Sequence, residues 1–174
     1  MELRFLAPDL RRLDETSSEV LACGLFSDER PPHGAVGLLD WRLAGRLSGL
    51  MRDGFLVGAP GEVLMVALRP KLPFDKGLIF GLGPRAEFDE TAFRRVLQRM
   101  LETMEGLCAR SATVELPGRH VRAIGAERAT TVLLELAADR SGHDTWTLLE
   151  SPEDQKSVSA RLMEQRRRDR RGGI

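Results

Sequence analysis

Apolar residues along this chain gather in short dense runs, separated by stretches with helical spacing. Glu2 to Leu6 reads as a short edge strand closed by Pro8. Glu19-Val20-Leu21-Ala22-Cys23-Gly24-Leu25-Phe26 is too continuously apolar for a strand with one wet face, so it predicts a buried parallel strand. A polar loop runs from Ser27 to Gly34. Val36, Leu39, Leu43, Leu47 and Leu50 then recur at three- and four-residue steps and predict one helix, ending near Asp53-Gly54. Gly58 to Gly61 is a turn. Glu62 to Leu68 is a third strand, ended by Pro70 and Pro73.

The stretch Lys76-Gly77-Leu78-Ile79-Phe80-Gly81-Leu82-Gly83-Pro84 predicts a short buried strand and a glycine turn, followed by a helix capped by Asp89. That helix has the cleanest periodicity in the chain. Phe93, Val96, Leu97, Met100, Leu101, Met104, Leu107 and Cys108 share one face, with Arg94, Arg95, Gln98, Arg99 and Glu102 opposite. Ser111 to Leu116 alternates and predicts a strand with one core-facing side. A helix from Val121 to Ala138 and a strand from Trp146 to Glu150 follow. Ser151-Pro152-Glu153-Asp154 opens a last helix that reaches about Arg171. Strands alternating with helices imply an α/β fold, with a mostly parallel sheet and helices on both faces. A length of 174 residues suits one domain over residues 1–150, with a helix and basic tail over 151–174.

Charge narrows the partners. Basic and acidic residues balance at 26 each, so only a local cluster would attract nucleic acid or a membrane. No apolar run approaches a bilayer span and Met1-Glu2-Leu3-Arg4 does not open a signal peptide, so the expected compartment is the cytoplasm, with no membrane partner. The chain has no Asn and no Tyr, and its only lysines are Lys71, Lys76 and Lys156. This bias suggests a GC-rich bacterial genome and weakens any Arg cluster as a sign of phosphate binding. Cys23 and Cys108 read as buried small hydrophobes.

Candidate chemistry is sparse. Gly45-Arg46-Leu47-Ser48-Gly49 lacks nucleophile-elbow spacing, and Ser48 falls on the polar face of a helix. His33, His120 and His143 are far apart and read as unrelated surface histidines. No metal-ligand spacing occurs, and no cofactor is expected. The acids Glu87, Asp89, Glu90, Glu153 and Asp154 sit at helix starts, where the dipole favours them. Gly81-x-Gly83-x-x-Ala86 matches a dinucleotide fingerprint as a bare pattern. The late helix start, the neighbouring acids and the lack of a downstream strand-end acid count against it. Arg161, Arg166, Arg167, Arg168, Arg170 and Arg171 crowd the last helix and are the candidate contacts for nucleic acid or a partner.

Taken in order, several segments resemble the N-terminal domain of the M17 leucyl aminopeptidases. They are Glu19 to Phe26, Leu39-Asp40 opening into Leu47-Ser48-Gly49-Leu50, Gly61-Glu62-Val63-Leu64, and Gly77-Leu78-Ile79-Phe80-Gly81-Leu82-Gly83 with Phe88-Asp89. The resemblance covers about Glu19 to Glu150. It implies a macro-domain-like three-layer α/β/α unit with a mixed, mostly parallel sheet, and places a linker helix at Glu153 to Arg171. The family's catalytic signature contains an Asn and an Asp-Ala-Glu-Gly-Arg run. Neither occurs here, so the expectation is a stand-alone, non-catalytic domain without peptidase activity. Three functions follow as expectations. The first is a protein-interaction or assembly module, binding a protein partner or forming a homo-oligomer. The second is a macro-like binder of ADP-ribose or a nucleotide, using Gly24, Phe26, Ser27, Asp28, Gly81, Gly83 and Arg85. The third is a nucleic-acid binder acting through the Arg-rich helix.

Overall fold

Six strands lie in one sheet in the order β1-β6-β5-β2-β4-β3. The computed structural model describes the backbone of residues 1–172 and the side chains of residues 1–164. The elements are β1 (Glu2–Leu6), α1 (Leu10–Glu15), β2 (Ser18–Phe26), α2 (Gly34–Arg42), α3 (Arg46–Arg52), β3 (Val63–Ala67), β4 (Phe74–Gly83), α4 (Glu90–Gly106), β5 (Ser111–Val114), α5 (Ala126–Ala137), β6 (Thr145–Leu149) and α6 (Pro152–Gly172). Every neighbouring pair is parallel except β3 with β4. The sheet is therefore mixed and mostly parallel, inside a three-layer α/β/α sandwich.

The alternation of β2 shows how the layers are built. Val20 and Ala22 pack with Phe93, Leu97, Met100, Leu133 and Trp146 on the α4 and α5 side. Leu21, Cys23 and Leu25 pack with Val36, Leu39, Leu47 and Ile79 on the α2 and α3 side. Both faces are covered, which is why this run carries no polar residue after Glu19. The α4 stripe is buried from Phe93 to Met104, whereas Leu107, placed on the same face by its spacing, is the C-cap residue and is exposed. The Asp89 carboxylate caps the start of α4 by accepting the Ala92 N–H at 2.8 Å.

Several boundaries differ from the pattern. The helix expected over Val36 to Leu50 is two helices, because Ala44 (φ 54°) and Gly45 (φ 79°) are left-handed. Asp40 bridges the break, accepting the Ser48 N–H at 3.0 Å and the Ser48 hydroxyl. The short helix α1, which buries Leu13, has too little periodicity to be read from sequence. β5 is buried on both faces: Thr113 is as covered as Ala112 and Val114. The helix expected from Val121 is a 3-10 turn at Arg119–Val121 followed by α5. Cys108 is exposed, with φ 54°, past the end of α4, so only Cys23 is a buried thiol.

The largest revision concerns Gly81 and Gly83. They do not form a turn; both belong to β4, which runs ten residues from Phe74. The loop before β3 lies against them. Gly81 donates its N–H to Glu62 O and Gly83 donates to Gly58 O, each at 2.9 Å. A Cβ on Gly81 would fall 1.8 Å from the Ala59 carbonyl oxygen, so only glycine permits this approach. Gly81→Ala is expected to lower stability by about 1–3 kcal/mol or more, because the obstructing atom is backbone. Gly49→Ala, inside α3 with its nearest neighbour at 3.8 Å, is expected to raise it by about 0.5–1 kcal/mol. Urea denaturation midpoints of the two variants check both signs.

Candidate functional site

Parallel strands leave their carboxyl ends on one edge of the sheet, where open α/β folds hold ligands. Three of the strands here lead into a buried acid at that edge. Glu115 directly follows β5, Glu150 directly follows β6, and Glu29 stands three residues beyond β2. Their exposures are only 3%, 3% and 4%. Buried carboxylates need counter-charge. The 3-10 turn after β5 supplies it through two consecutive side chains.

Arg119 forms a two-pronged pair with Glu150, at 2.8 and 2.7 Å, and also reaches Asp154 at 3.0 Å. Burial works against charge on Arg119, and the carboxylates more than offset it, raising its pKa. His120 stands between the other two acids. Its Nε2 lies 2.9 Å from Glu29 Oε2 and its Nδ1 lies 3.4 Å from Glu115 Oε2. Burial alone would push the imidazole down. The carboxylates of Glu115 and Glu29 prevail and lift its pKa to about 9, so it is cationic at neutral pH. In turn His120 holds the Glu29 carboxyl below its usual range, against the opposing effect of burial.

The same acids also bind backbone. Glu115 Oε1 accepts the Ala35 N–H at 3.0 Å, in the first turn of α2, and Glu29 Oε1 accepts the His33 N–H at 2.8 Å. A helix N-terminus is an anion site, and here the chain fills it with its own carboxylates. Gly34 (φ 57°) makes this fit possible, since a Cβ there would lie 2.6 Å from His120 Cβ and 2.7 Å from Glu115 Oε1. Glu115, Arg119, His120, Glu150 and Asp154 themselves line a hollow of about 380 Å³, together with Pro8, Leu38, Arg122 and Ser151.

The ligand-binding candidates divide into two groups. Phe26, Ser27, Asp28, Gly83 and Arg85 meet where β2 and β4 end. Ser27 donates its N–H to Gly83 O, Asp28 accepts the Arg85 N–H, both at 3.0 Å, and the Arg85 guanidinium lies 5.4 Å from the Phe26 ring centre. Phe26 is fully buried, edge-on to Phe88. Gly24 and Gly81 lie deeper in the strands. Leu82 packs onto Gly24 and Ala59 onto Gly81, so neither faces open space. Beside Gly81–Pro84 a groove of about 210 Å³ is open, with Pro60, Phe80, Leu82 and Val96 as its apolar lining and Arg95 and Arg99 on the α4 side. Of the basic cluster, Arg161 is exposed on α6. The side chains of Arg166, Arg167, Arg168, Arg170 and Arg171 lie outside the described residues.

The histidines are not three unrelated surface groups. His33 is exposed and pairs with Glu29 at 3.2 Å, the same acid that binds His120. His143 is buried edge-on against Trp146, with Glu105 at 3.3 Å, and burial lowers its pKa. Sequence reasoning missed Glu29, Glu115, Arg119, His120 and Glu150. The available signal was an acid immediately after an apolar strand, in Val114-Glu115 and Leu149-Glu150. Among the described residues, no three His, Cys, Asp or Glu side chains are grouped to hold a metal ion.

Two outcomes test the clasp. His120→Leu leaves two buried acids facing each other and is expected to cost about 3–5 kcal/mol, read by urea denaturation. The raised pKa of His120 gives the sign of its pH dependence. Its stabilisation is complete below pH 6.5 and is lost as pH rises through about 9. The stability gap between the wild type and His120→Gln is therefore expected to shrink from pH 6 to pH 10.

Comparison with known proteins agrees with the fold. A Pseudomonas aeruginosa (strain UCBPP-PA14) probable cytosol aminopeptidase is 27% identical over 125 residues, covering 72% of this chain and 25% of that protein. A probable cytosol aminopeptidase of Thermosynechococcus vestitus is 31% identical over 135 residues, covering 73% of this chain and 26% of that protein. The chain thus spans about a quarter of the length of these relatives. An Oceanobacillus iheyensis macrodomain solved with ADP superposes with a TM-score of 0.70 at 13% identity, over 95% of this chain and 92% of that one. That likeness shows a macrodomain-like fold. The model of the cytosol aminopeptidase family N-terminal domain matches residues 22–143, and the chain belongs to that family through this domain.

Proposed function

We propose that this domain is a non-catalytic module for protein interaction and assembly. The observation that carries the proposal is apolar surface: Trp41, Phe55 and Met65 are 75%, 68% and 57% exposed. Singly exposed apolar side chains are ordinary on a surface, but Met65 lies on the outermost strand, where apolar exposure coincides with unpaired strand backbone. The segment from Phe55 to Met65, with Val57 also exposed, leads into and along the outermost strand. The family match concerns the N-terminal domain, and the clasp acids are held by Arg119, His120 and backbone N–H groups. The relatives are named for the cytosol, and we assign this domain to the same compartment.

A nucleotide-binding function has one observation in its favour, the likeness to a macrodomain solved with ADP. The clasp opposes it. Glu29 and Glu115 already take N–H groups at the start of α2 and would repel a diphosphate. Nucleic-acid binding rests on the basic cluster, of which Arg161 alone has a described side chain.

Thermal unfolding with ADP or ADP-ribose at about 1 mM is expected to show no rise in Tm, and a clear rise would restore the ligand proposal. Light scattering of the whole chain is expected to show association that Trp41→Ser with Phe55→Ser, or a change on the outermost strand, weakens. A monomer at every concentration that also binds no protein would overturn the interaction proposal.

A further inference from the structure

We propose that β3 is a self-association edge, through which two copies of this chain pair antiparallel and join their six-stranded sheets into one. This rests on the interaction-module proposal and names its surface and partner. β3 is the last strand of the sheet. Its pairing with β4 fixes which backbone groups are free. Glu62 O accepts from Gly81 and the Leu68 N–H points to Asp75 O, with Val63 opposite Phe80 and Ala67 opposite Lys76. In an antiparallel ladder, alternate residues bond to alternate sides. Glu62, Leu64, Val66 and Leu68 therefore face β4, while Val63, Met65 and Ala67 direct their N–H and C=O groups away from the sheet.

Edge strands are ordinarily guarded by charge, proline or bulges. The opposite edge follows that rule: β1 carries Glu2 and Arg4, exposed and paired with each other. β3 does not. Val63-Leu64-Met65-Val66-Ala67 has no charge and no proline, and Met65 is 57% exposed. The strand is also complementary to itself. Met65 opposite Met65 places Val63 opposite Ala67, so each outward N–H and C=O meets its mate across a two-fold axis. The two Met65 side chains cover one another on the α4 face. Leu64 and Val66 become cross-strand neighbours on the α2 and α3 face. No like charges are brought together within the strand.

Sedimentation velocity of the full chain from about 1 to 100 μM tests this, since dimer population follows protomer concentration. The expected mass rises from 19.3 kDa towards twice that value. Met65→Lys places a charge on the edge, and Met65→Pro removes an N–H that takes no part in the β4 ladder. Both are expected to weaken dimerisation at least about tenfold with an unchanged circular dichroism spectrum, while Met65→Leu still dimerises. Hydrogen exchange is expected to show the Val63, Met65 and Ala67 amides protected at high concentration and exposed on dilution. A wild type that stays monomeric throughout overturns the β3 edge. So does a dimer that survives both edge variants, or one whose protection appears on β1. If Trp41→Ser with Phe55→Ser dissolves such a dimer, assembly stands and the β3 edge falls.

Discussion

The imidazolium of His120, held between the carboxylates of Glu29 and Glu115, is the contact on which the sheet's carboxyl edge depends. It ties the loop after β2 to the turn after β5. Through Glu115 and the Ala35 N–H it also sets where α2 begins. Its neighbour Arg119 does the same for β6 and α6 through Glu150 and Asp154. Removing so many charges from water is costly, and their mutual attraction offsets that cost only when each finds a partner. Here two adjacent residues serve four acids. The result is a charged edge whose acids are already engaged by Arg119, His120 and backbone N–H groups.

A second constraint acts at the end of β4. Glycine at position 81 lets the Ala59 carbonyl approach β4 closely, and the ladder bonds of Gly81 and Gly83 hold the incoming loop in place. That loop delivers β3 antiparallel to β4 and leaves it outermost. Glu62 fastens the same turn, accepting the N–H groups of Val57, Gly58 and Ala59. The exposed apolar strand is thus a consequence of a well-bonded loop, and not of local looseness. The two features differ in kind: the carboxyl ends of β2, β5 and β6 are tied together by buried charge, and β3 is left as an unpaired strand edge.

Periodicity made most of the architecture legible. The continuous run at Glu19 to Phe26, the α4 stripe and the Asp89 cap each stand where local spacing puts them. The failures have physical causes. Side-chain spacing runs on through Leu43 and Leu47, so it hides a break made by backbone angles at Ala44 and Gly45. An apolar run looks the same in a parallel or an antiparallel strand, so the direction of β3 was not legible. Gly81 and Gly83 suggest a turn, because a distant loop pressing on a strand leaves the same glycine signature. The clasp was hidden for a related reason. Glu29 and His120 are 91 residues apart, and a buried acid looks like a surface acid until its partner is placed. Of the ligand candidates, the five at the ends of β2 and β4 do converge, while Gly24 and Gly81 serve packing.

The most direct measurement is the protonation of the His120 ring by nitrogen-15 NMR, followed as a function of pH. An imidazolium held between Glu29 and Glu115 predicts both ring nitrogens protonated at pH 7.5, with a midpoint at about 9. A single neutral tautomer at that pH, titrating at or below about 6.5, would contradict it and reopen the carboxyl edge as a ligand crevice.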